Sequence, residues 1–437
     1  MRCHCLCATN LGPLPETRDI ALLRMHSLRK KLMKDGTYAK QYSAFMTEML
    51  QKGYAERVTS ASQENVWYIP HFGVQHPDKP DKVRVVFDCA SRVEGTSLND
   101  LILQGPDMMN SLLGVLVKFR GGLFAYSGDI NIMFYQVRVP EHQRDYLRFF
   151  WWENSFNEEP TEFRMAVHLF GACSSPSIAN FVLKQTASDF GNGFSKGAWD
   201  TVANNFYVDD CLRAEDRQDA LLSNLLEVKE LCEKGGFTLM KFSSSCVEVL
   251  SSIPREWYGK GISGFIDGSG PNKTKALGVQ WDLATDELGV QADLVSVPRT
   301  KRSLLSAIAS IYDPLGILAP VLIEGRIIVQ DLCRLKIGWD RGLDSNTTDR
   351  IRVWVNKLNQ TRGISVPRCL KVIGWESATL IQLHLFLDAS IMALGVVAYL
   401  RVTDRWGNVS CRFIMGKARV APLKDVSVPR LELSAAY

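Results

Sequence analysis

Long hydrophobic runs are missing from this sequence. The most apolar stretch, Ile311 to Ile323, is broken by Asp313, Pro314 and Pro320, and it falls short of the roughly 20 residues that a bilayer-crossing helix needs. No membrane partner is therefore expected. An excess of one charge is also missing, since 51 Lys+Arg stand against 47 Asp+Glu for a net charge of +4. Bulk charge neither demands nor excludes nucleic acid, and local patches must decide. C-x-x-C pairs are absent among the 11 cysteines, and no secretory signal precedes them, so reduced, intracellular thiols are expected. The one cluster, Cys3, His4, Cys5 and Cys7, has single-residue gaps where zinc ligands are usually separated by about two to four residues. No metal is expected there. Internal repeats and low-complexity linkers are lacking as well.

What remains is a folded chain of 437 residues, 46% hydrophobic and 22% charged. That length predicts about two to four packed units. Tyr42, Phe45, Met46, Met49 and Leu50 recur at helical spacing before Gly53, which predicts an amphipathic helix. Ile20 to Met33 is helical in character too, with Arg24, Arg29, Lys30, Lys31 and Lys34 as either a solvated face or one that follows a phosphate backbone. Between Trp67 and Trp152, short runs rich in Val, Ile, Phe and Tyr break at Gly, Pro and Asp, which reads as strands. Ser175-Pro176 suits a helix start, with Ser as cap and Pro in the first turn, and Ile178, Phe181 and Val182 are its expected buried stripe. The mixture is α/β or α+β. The polar stretch from Asn346 to Thr361 is a candidate boundary before a final strand-rich unit.

The chemistry concentrates in Phe206-Tyr207-Val208-Asp209-Asp210. Adjacent carboxylates after an aromatic and aliphatic run suit a tight hairpin, and alone they fit a solvated turn as well as a metal site. Asp129, after the strand-like run Leu123 to Tyr126, supplies a further carboxylate from a separate strand. Carboxylates so placed can hold two divalent ions that clamp the attacking and leaving oxygens of an in-line phosphoryl transfer.

Several short motifs in order resemble those of reverse transcriptases. Val83-Arg84-Val85-Val86-Phe87-Asp88 resembles the fingers strand, and Asp129-Ile130 with Phe134-Tyr135 the first catalytic motif. Phe170-Gly171 with Ser175-Pro176 resembles the template and nucleotide motif, and Phe206 to Asp210 the catalytic hairpin. Gly236-Phe237-Thr238 leading to Lys241, then Leu277-Gly278, resemble the two motifs that follow. Ser97-Leu98-Asn99-Asp100-Leu101 and Tyr312-Asp313-Pro314-Leu315-Gly316 are similar to stretches of the Pao/BEL family of long-terminal-repeat retrotransposons.

The resemblance implies an RNA- and DNA-templated DNA polymerase with Asp129, Asp209 and Asp210 as catalytic residues. Together with Ile130 they form the metal set for two Mg²⁺ ions, Mn²⁺ being the alternative. Lys82, Arg84, Ile130, Phe134, Phe170, Gly171 and Lys241 are the implied nucleotide contacts. Strand alternation puts Lys82 and Arg84 on one face, away from Val83, Val85 and Phe87, and an Arg84–Asp88 ion pair is the other reading. Phe134 resembles the aromatic gate that excludes a 2′-hydroxyl, with a core aromatic as the other reading. Lys241 resembles the group that neutralises pyrophosphate, with an exposed lysine as the other. Arg299, Lys301, Arg302 and Arg326, between Pro298 and Asp340, are expected to meet duplex backbone.

The implied fold is α+β, a right-hand polymerase of fingers, palm and thumb followed by a truncated RNase H-like α/β unit. Its expected parts are a helical segment at 1–66, fingers and palm at 67–250, end of palm, thumb and connection at 251–345, and an incomplete RNase H-like domain at 346–437. In that last part Asp388 and Glu432 stand as a remnant of the metal site, and RNase H activity is not expected. Implied partners are an RNA template, DNA primer and template, and deoxynucleoside triphosphates. The implied location is a cytoplasmic virus-like particle or the nucleus. With no protease or capsid segment ahead of the motifs, a polyprotein fragment or truncated copy is expected, and a catalytically silent or co-opted nucleic-acid-binding remnant is the competing reading.

Overall fold

A computed structural model of the chain describes residues 14–59, 66–76, 79–372, 375–424 and 426–436. The cluster from Cys3 to Cys7 lies outside them, as does the side chain of Lys82. The chain divides into two compact units: Met1–Met109 with Ile130–Ala203 and Glu227–Leu239, and Asn110–Asp129 with Asn204–Leu226 and Met240–Tyr437.

The first unit opens with helices Arg18–Lys34 and Gly36–Gln51. Asp35 separates them, because its carboxylate accepts the Tyr38 amide at 2.9 Å and caps the second helix. Ala21, Met25, Leu28 and Leu32 of one helix and Tyr38, Tyr42, Met46 and Met49 of the other face the core, at the spacing that gives a helix one buried stripe. The basic residues Arg24, Lys30, Lys31 and Lys34 are exposed. Strands Ala55–Arg57 and Arg148–Trp151 flank Thr161–Met165 in an antiparallel sheet, and His71–His76 pairs with Lys79–Phe87. In the latter strand Val83, Val85 and Phe87 are buried while Arg84 is exposed, the alternation that a pleated strand imposes.

Helix Ser175–Phe190 has Pro176 in its first turn. Two expectations for it need correction. Ser175 does not cap it, for its hydroxyl donates to the Leu169 carbonyl at 2.8 Å. Ile178 and Val182 are buried, but Phe181 is 46% exposed, because the buried stripe is narrower than the apolar residues suggest.

In the second unit an antiparallel sheet has the order Leu239–Ser244, Phe124–Ile130, Asp210–Glu215, Phe206–Tyr207. A second sheet joins Lys273–Ala276, Val279–Asp282, Glu287–Gly289 and Ser365–Pro367. Helices Lys301–Ala309, Ala319–Arg334 and Ser345–Gln360 enclose a core containing Leu304, Leu322, Ile328, Ile351, Trp354 and Leu358. The polar stretch 346–361 is thus a packed helix and not a boundary, since Ile351, Trp354, Val355 and Leu358 fall on one buried face while Val353 is exposed. Ala378–Ala389, Ala393–Asp404 and Val409–Val420 form a three-stranded meander with helix Val428–Ala436 against the first two strands.

Three of the four basic residues expected to meet a duplex are engaged within the unit. Lys301 is buried, donates to the Ile337 carbonyl at 2.5 Å and lies over the Trp339 ring. Arg302 forms a two-pronged pair with Asp340, and Arg326 donates to the Ala418 carbonyl at 3.0 Å. Lys301 in particular serves the fold, its ammonium satisfied by a carbonyl and an aromatic face.

Candidate active site

Strands Phe206–Tyr207 and Asp210–Glu215 form a hairpin in which Tyr207 pairs with Asp210, leaving Val208 and Asp209 as a two-residue loop. Val208 has φ +56°, where a β-branched residue is a true outlier; such strain costs on the order of 1–3 kcal/mol and is kept only where the surroundings impose it. The imposition is visible in the next residues, since Cys211 and Leu212 are fully buried and pair with Gly128 and Ser127. That register sets Asp210 directly opposite Asp129. Ile130, next along the strand, is fully buried, so alternation turns Asp129 out of the core.

Burial first, then the nearby Asp129, raises the Asp209 carboxyl above its ordinary range. Asp210 is pushed up to about 7 by burial, then by Asp209 and Asp129. Carboxylates from two strands that resist ionising together form a hard oxygen donor set, which a divalent cation would relieve. Lys241 relieves part of that repulsion here, its Nζ lying 2.5 Å from Asp129 Oδ1. The backbone of Lys241 is also left-handed, with φ +59°. Among the described residues no three Asp, Glu, His or Cys side chains are gathered into a ready-made ion cage. The electrostatic coupling and the strand register show that the three aspartates are neighbours, and the Lys241 pair holds Asp129 on a cation of its own. The residues fit a divalent metal by donor type and by crowding.

The first unit holds the other implied nucleotide contacts. Phe134 lies in the short helix Met133–Gln136, is 9% exposed, and meets Phe170 with ring centroids 4.5 Å apart. Phe170 itself is 40% exposed. Gly171 has φ +113°, and a Cβ there would lie 2.4 Å from the Phe87 carbonyl oxygen, so close packing on the Phe87 backbone requires the glycine. Asn99, whose role sequence reading missed, fastens this loop: its Nδ2 donates to the Gly171 carbonyl and its Oδ1 accepts the Cys173 amide, both at 2.9 Å. The Ser97 to Leu101 motif was the available signal. Arg84 is exposed and makes no Asp88 pair among the described ion pairs; it opposes the burial that raises the Tyr135 hydroxyl. Lys82 belongs to the same strand.

Asp388 is exposed near the end of strand Ala378–Ala389, where its carboxylate accepts the Ala389 amide at 2.8 Å. Glu432 is exposed on helix Val428–Ala436.

Residues 300–437 match the family model of the Pao retrotransposon-like RNaseH-like domain, starting well ahead of position 346. No curated protein matches the chain. Among solved structures, the foamy viral protease-reverse transcriptase dRH in complex with double-stranded DNA is similar, with TM-score 0.58 and 14% identity over 100% of this chain and 63% of that one. The foamy viral protease-reverse transcriptase with an RNA/DNA hybrid gives TM-score 0.57 and 14% identity over 99% and 48%. With double-stranded DNA it gives 0.56 and 15% over 97% and 72%. This chain thus spans less than two thirds of the first two structures, and at such identity the likeness shows the fold. Residues 300–437 thus carry a Pao retrotransposon-like RNaseH-like domain, and the chain has the fold of these reverse transcriptase structures.

Proposed function

We propose that the chain is a reverse transcriptase, a nucleotidyltransferase that extends a DNA primer on RNA and DNA templates with deoxynucleoside triphosphates. The observation that carries this reading is the pairing of Asp129 with Asp210 beside the strained Val208-Asp209 turn. The parts proposed are a helical segment ahead of residue 67, fingers and palm over 67–250, and the end of the palm, thumb and connection from 251, running into the RNaseH-like match that begins at 300. The complexes of similar proteins with double-stranded DNA and with an RNA/DNA hybrid support nucleic-acid partners.

Two Mg²⁺ ions, or Mn²⁺ in their place, held by Asp129, Asp209 and Asp210 beside Ile130, would supply the Lewis acidity for attack by the primer 3′-hydroxyl and departure of pyrophosphate. Asp210, poised near neutral pH, becomes a full carboxylate ligand only when its proton leaves. Lys241 then exchanges Asp129 for the charge developing on the pyrophosphate. Arg84, with Lys82, pairs with triphosphate oxygens through planar and point-charge contacts. Phe134, braced by Phe170 above the Gly171 turn, excludes a 2′-hydroxyl by steric contact. Virus-like particles in the cytoplasm, with the nucleus as the alternative, are the location proposed.

Primer extension by the purified protein on an RNA template in Mg²⁺ tests the reading, with Asp209→Asn expected to abolish extension while the thermal melt persists. Among the described residues no helix is long and apolar enough to cross a membrane. A second reading, a silent or co-opted nucleic-acid-binding remnant, is favoured by the Lys241–Asp129 pair, which neutralises one ligand internally. A folded wild-type protein that binds primer–template yet extends nothing in Mg²⁺ or Mn²⁺ selects that second reading.

A further inference from the structure

The segment from Tyr312 to Gly316 joins helices Lys301–Ala309 and Ala319–Arg334 and lies outside the carboxylate motifs. Its far end is fixed in place. Asp313 accepts the amides of Ile317 and Leu318 at 2.9 and 2.7 Å, which sets the turn into the second helix. Gly316 has φ +73°, and a Cβ on it would stand 1.8 Å from the Gly416 carbonyl oxygen. The Gly416 amide donates to the Leu315 carbonyl at 2.8 Å. Backbone therefore packs on backbone, and the segment has little freedom to move along strand Val409–Val420.

The near end presents Tyr312, an aromatic residue that is 46% exposed. Its ring lies against Gly278, where an added Cβ would be 2.9 Å from a ring carbon. The hydroxyl is within electrostatic reach of Tyr207 and Asp210, both of which, after burial, hold it above its ordinary value. A polar cleft of about 250 Å³ opens beside the ring, lined by Lys275, Gln291 and Ser310. Asp293, also on its wall, is neutralised by Arg362 at 2.8 Å. A ring held rigidly from behind, half open in front and next to the carboxylate hairpin is poorly explained as core. Its setting suits a flat nucleobase or sugar, with a cation and a hydroxyl beside it for the attached phosphate.

We propose that Tyr312 is a positioning residue for the primer: the 3′-terminal nucleotide rests on its ring, and the phosphodiester behind that nucleotide enters the cleft at Lys275 and Ser310. The proposal rests on the polymerase reading. It deepens that reading by naming how the chain recognises the end of a primer through a segment outside the carboxylate motifs. Contact of the ring with the terminal deoxyribose is indifferent to the base, as a primer terminus requires, and leaves the outer face of that base free for the incoming nucleotide.

The test compares equilibrium binding of a fluorescent DNA duplex with a recessed 3′ end and of the same duplex made blunt, beside single-nucleotide extension. Tyr312→Ala is expected to weaken recessed-end binding up to about tenfold, the scale for loss of one aromatic contact, and to leave the blunt duplex unaffected. Tyr312→Phe keeps the ring and should restore the recessed-end preference. Tyr312→Leu keeps bulk against Gly278 without an aromatic face, so it should behave like the Ala variant even if Ala disturbs local packing. Equal loss on both duplexes, a Phe variant as weak as Ala, or unchanged binding by Ala and Leu overturns the platform. A wild-type protein that shows the Tyr312-dependent preference yet adds no nucleotide removes the polymerase reading and keeps the platform. One that extends primers while the Ala and Leu variants bind normally removes the platform and keeps the polymerase.

Discussion

Arg368 grips Asp286 through both carboxylate oxygens, Nε to Oδ1 and Nη2 to Oδ2, each at 2.7 Å. The arginine is fully buried, and its remaining donors meet the carbonyls of Phe119, Gly122 and Leu123 at 2.7, 3.0 and 2.9 Å. Those carbonyls lie in the turn that feeds strand Phe124–Ile130, which carries Asp129. Arg120, also fully buried, donates to the carbonyls of Pro367, Arg368, Phe413 and Ile414. Burial, with Arg368 as a secondary cause, brings Arg120 down to about 10. Two guanidiniums thus stitch four separate stretches of chain, with carbonyl oxygens supplying the partners that a single carboxylate cannot.

Removing Arg368 leaves the partly buried Asp286 carboxylate with Trp281 Nε1 as a donor but without its cation, and takes a donor from each of the carbonyls of Phe119, Gly122 and Leu123. Arg368→Met is expected to cost about 3–5 kcal/mol, the usual penalty for removing one member of a buried pair. Chemical denaturation of the wild-type and variant proteins measures it. Arg368→Lys should also be destabilised, because an ammonium cannot span both oxygens of Asp286 and three carbonyls together. A variant as stable as wild type would mean that solvent enters and replaces the guanidinium.

The raised carboxyl of Asp210 makes stability depend on pH. A group whose pKa is higher in the folded than in the unfolded chain holds its proton more tightly when folded. Its favourable contribution is complete below about 4 and is lost as pH rises through about 7. Asp209 acts in the same direction. In EDTA, Asp210→Asn should therefore melt above the wild type at pH 8, and the two should converge towards pH 4. The gap between them should close by up to about 1.4 kcal/mol for each pH unit crossed inside that window. Added Mg²⁺ should raise the wild-type melting temperature more at pH 8 than at pH 5.5, because only the ionised carboxylates bind it. Parallel melting profiles for the two proteins across that range would contradict the assignment.

Phe134→Val should raise the use of ribonucleotides relative to deoxyribonucleotides. The wild-type ring is braced against Phe170 at 4.5 Å, so it cannot swing aside to admit an extra hydroxyl without breaking that contact. Removing the ring also leaves a void, so some loss of stability, on the order of 1–3 kcal/mol, is expected alongside. Single-nucleotide incorporation with each substrate gives the ratio of kcat/KM values. A ratio that stays fixed in an active variant identifies Phe134 as packing alone.

Much of this was legible from residue type and spacing. Alternation at Val83 to Phe87 marked a strand with Arg84 outward, and the run Phe206 to Asp210 marked a hairpin; both are local patterns set by a few neighbouring residues. The helix Ser345–Gln360 was written in its sequence too, with Ile351, Trp354, Val355 and Leu358 at helical spacing, but the dense polar residues between them read as a boundary. What sequence could not supply is pairing between distant positions. Nothing local to Arg120 or Arg368 marks them as buried, and nothing at Lys301 foretells the Ile337 carbonyl and Trp339 ring that claim it. The left-handed Val208 is hidden for a related reason: a valine there contradicts its own backbone preference, and only the strand register on either side enforces it.

The RNase H-like part is expected to leave the RNA strand of an RNA–DNA hybrid intact when this chain is assayed by itself. Hydrolysis by two ions needs carboxylates that hold an attacking water and a leaving oxygen at once. Asp388 and Glu432 are both exposed, and one oxygen of Asp388 already accepts the Ala389 amide. Among the described residues they belong to no cluster of three or more possible ligands, so one ion would be held weakly and a second would have no fixed seat. The strand that bears Asp388 also stands at the edge of its sheet, with Leu383, Leu385 and Phe386 each more than half exposed, so the surface that should orient the carboxylate is open and prone to association. A labelled hybrid incubated in Mg²⁺ should therefore stay whole under conditions in which the same preparation extends a primer. Cleavage that vanishes with Asp388→Asn while extension persists would show that Asp388 and Glu432 suffice, and that the open sheet holds a working site.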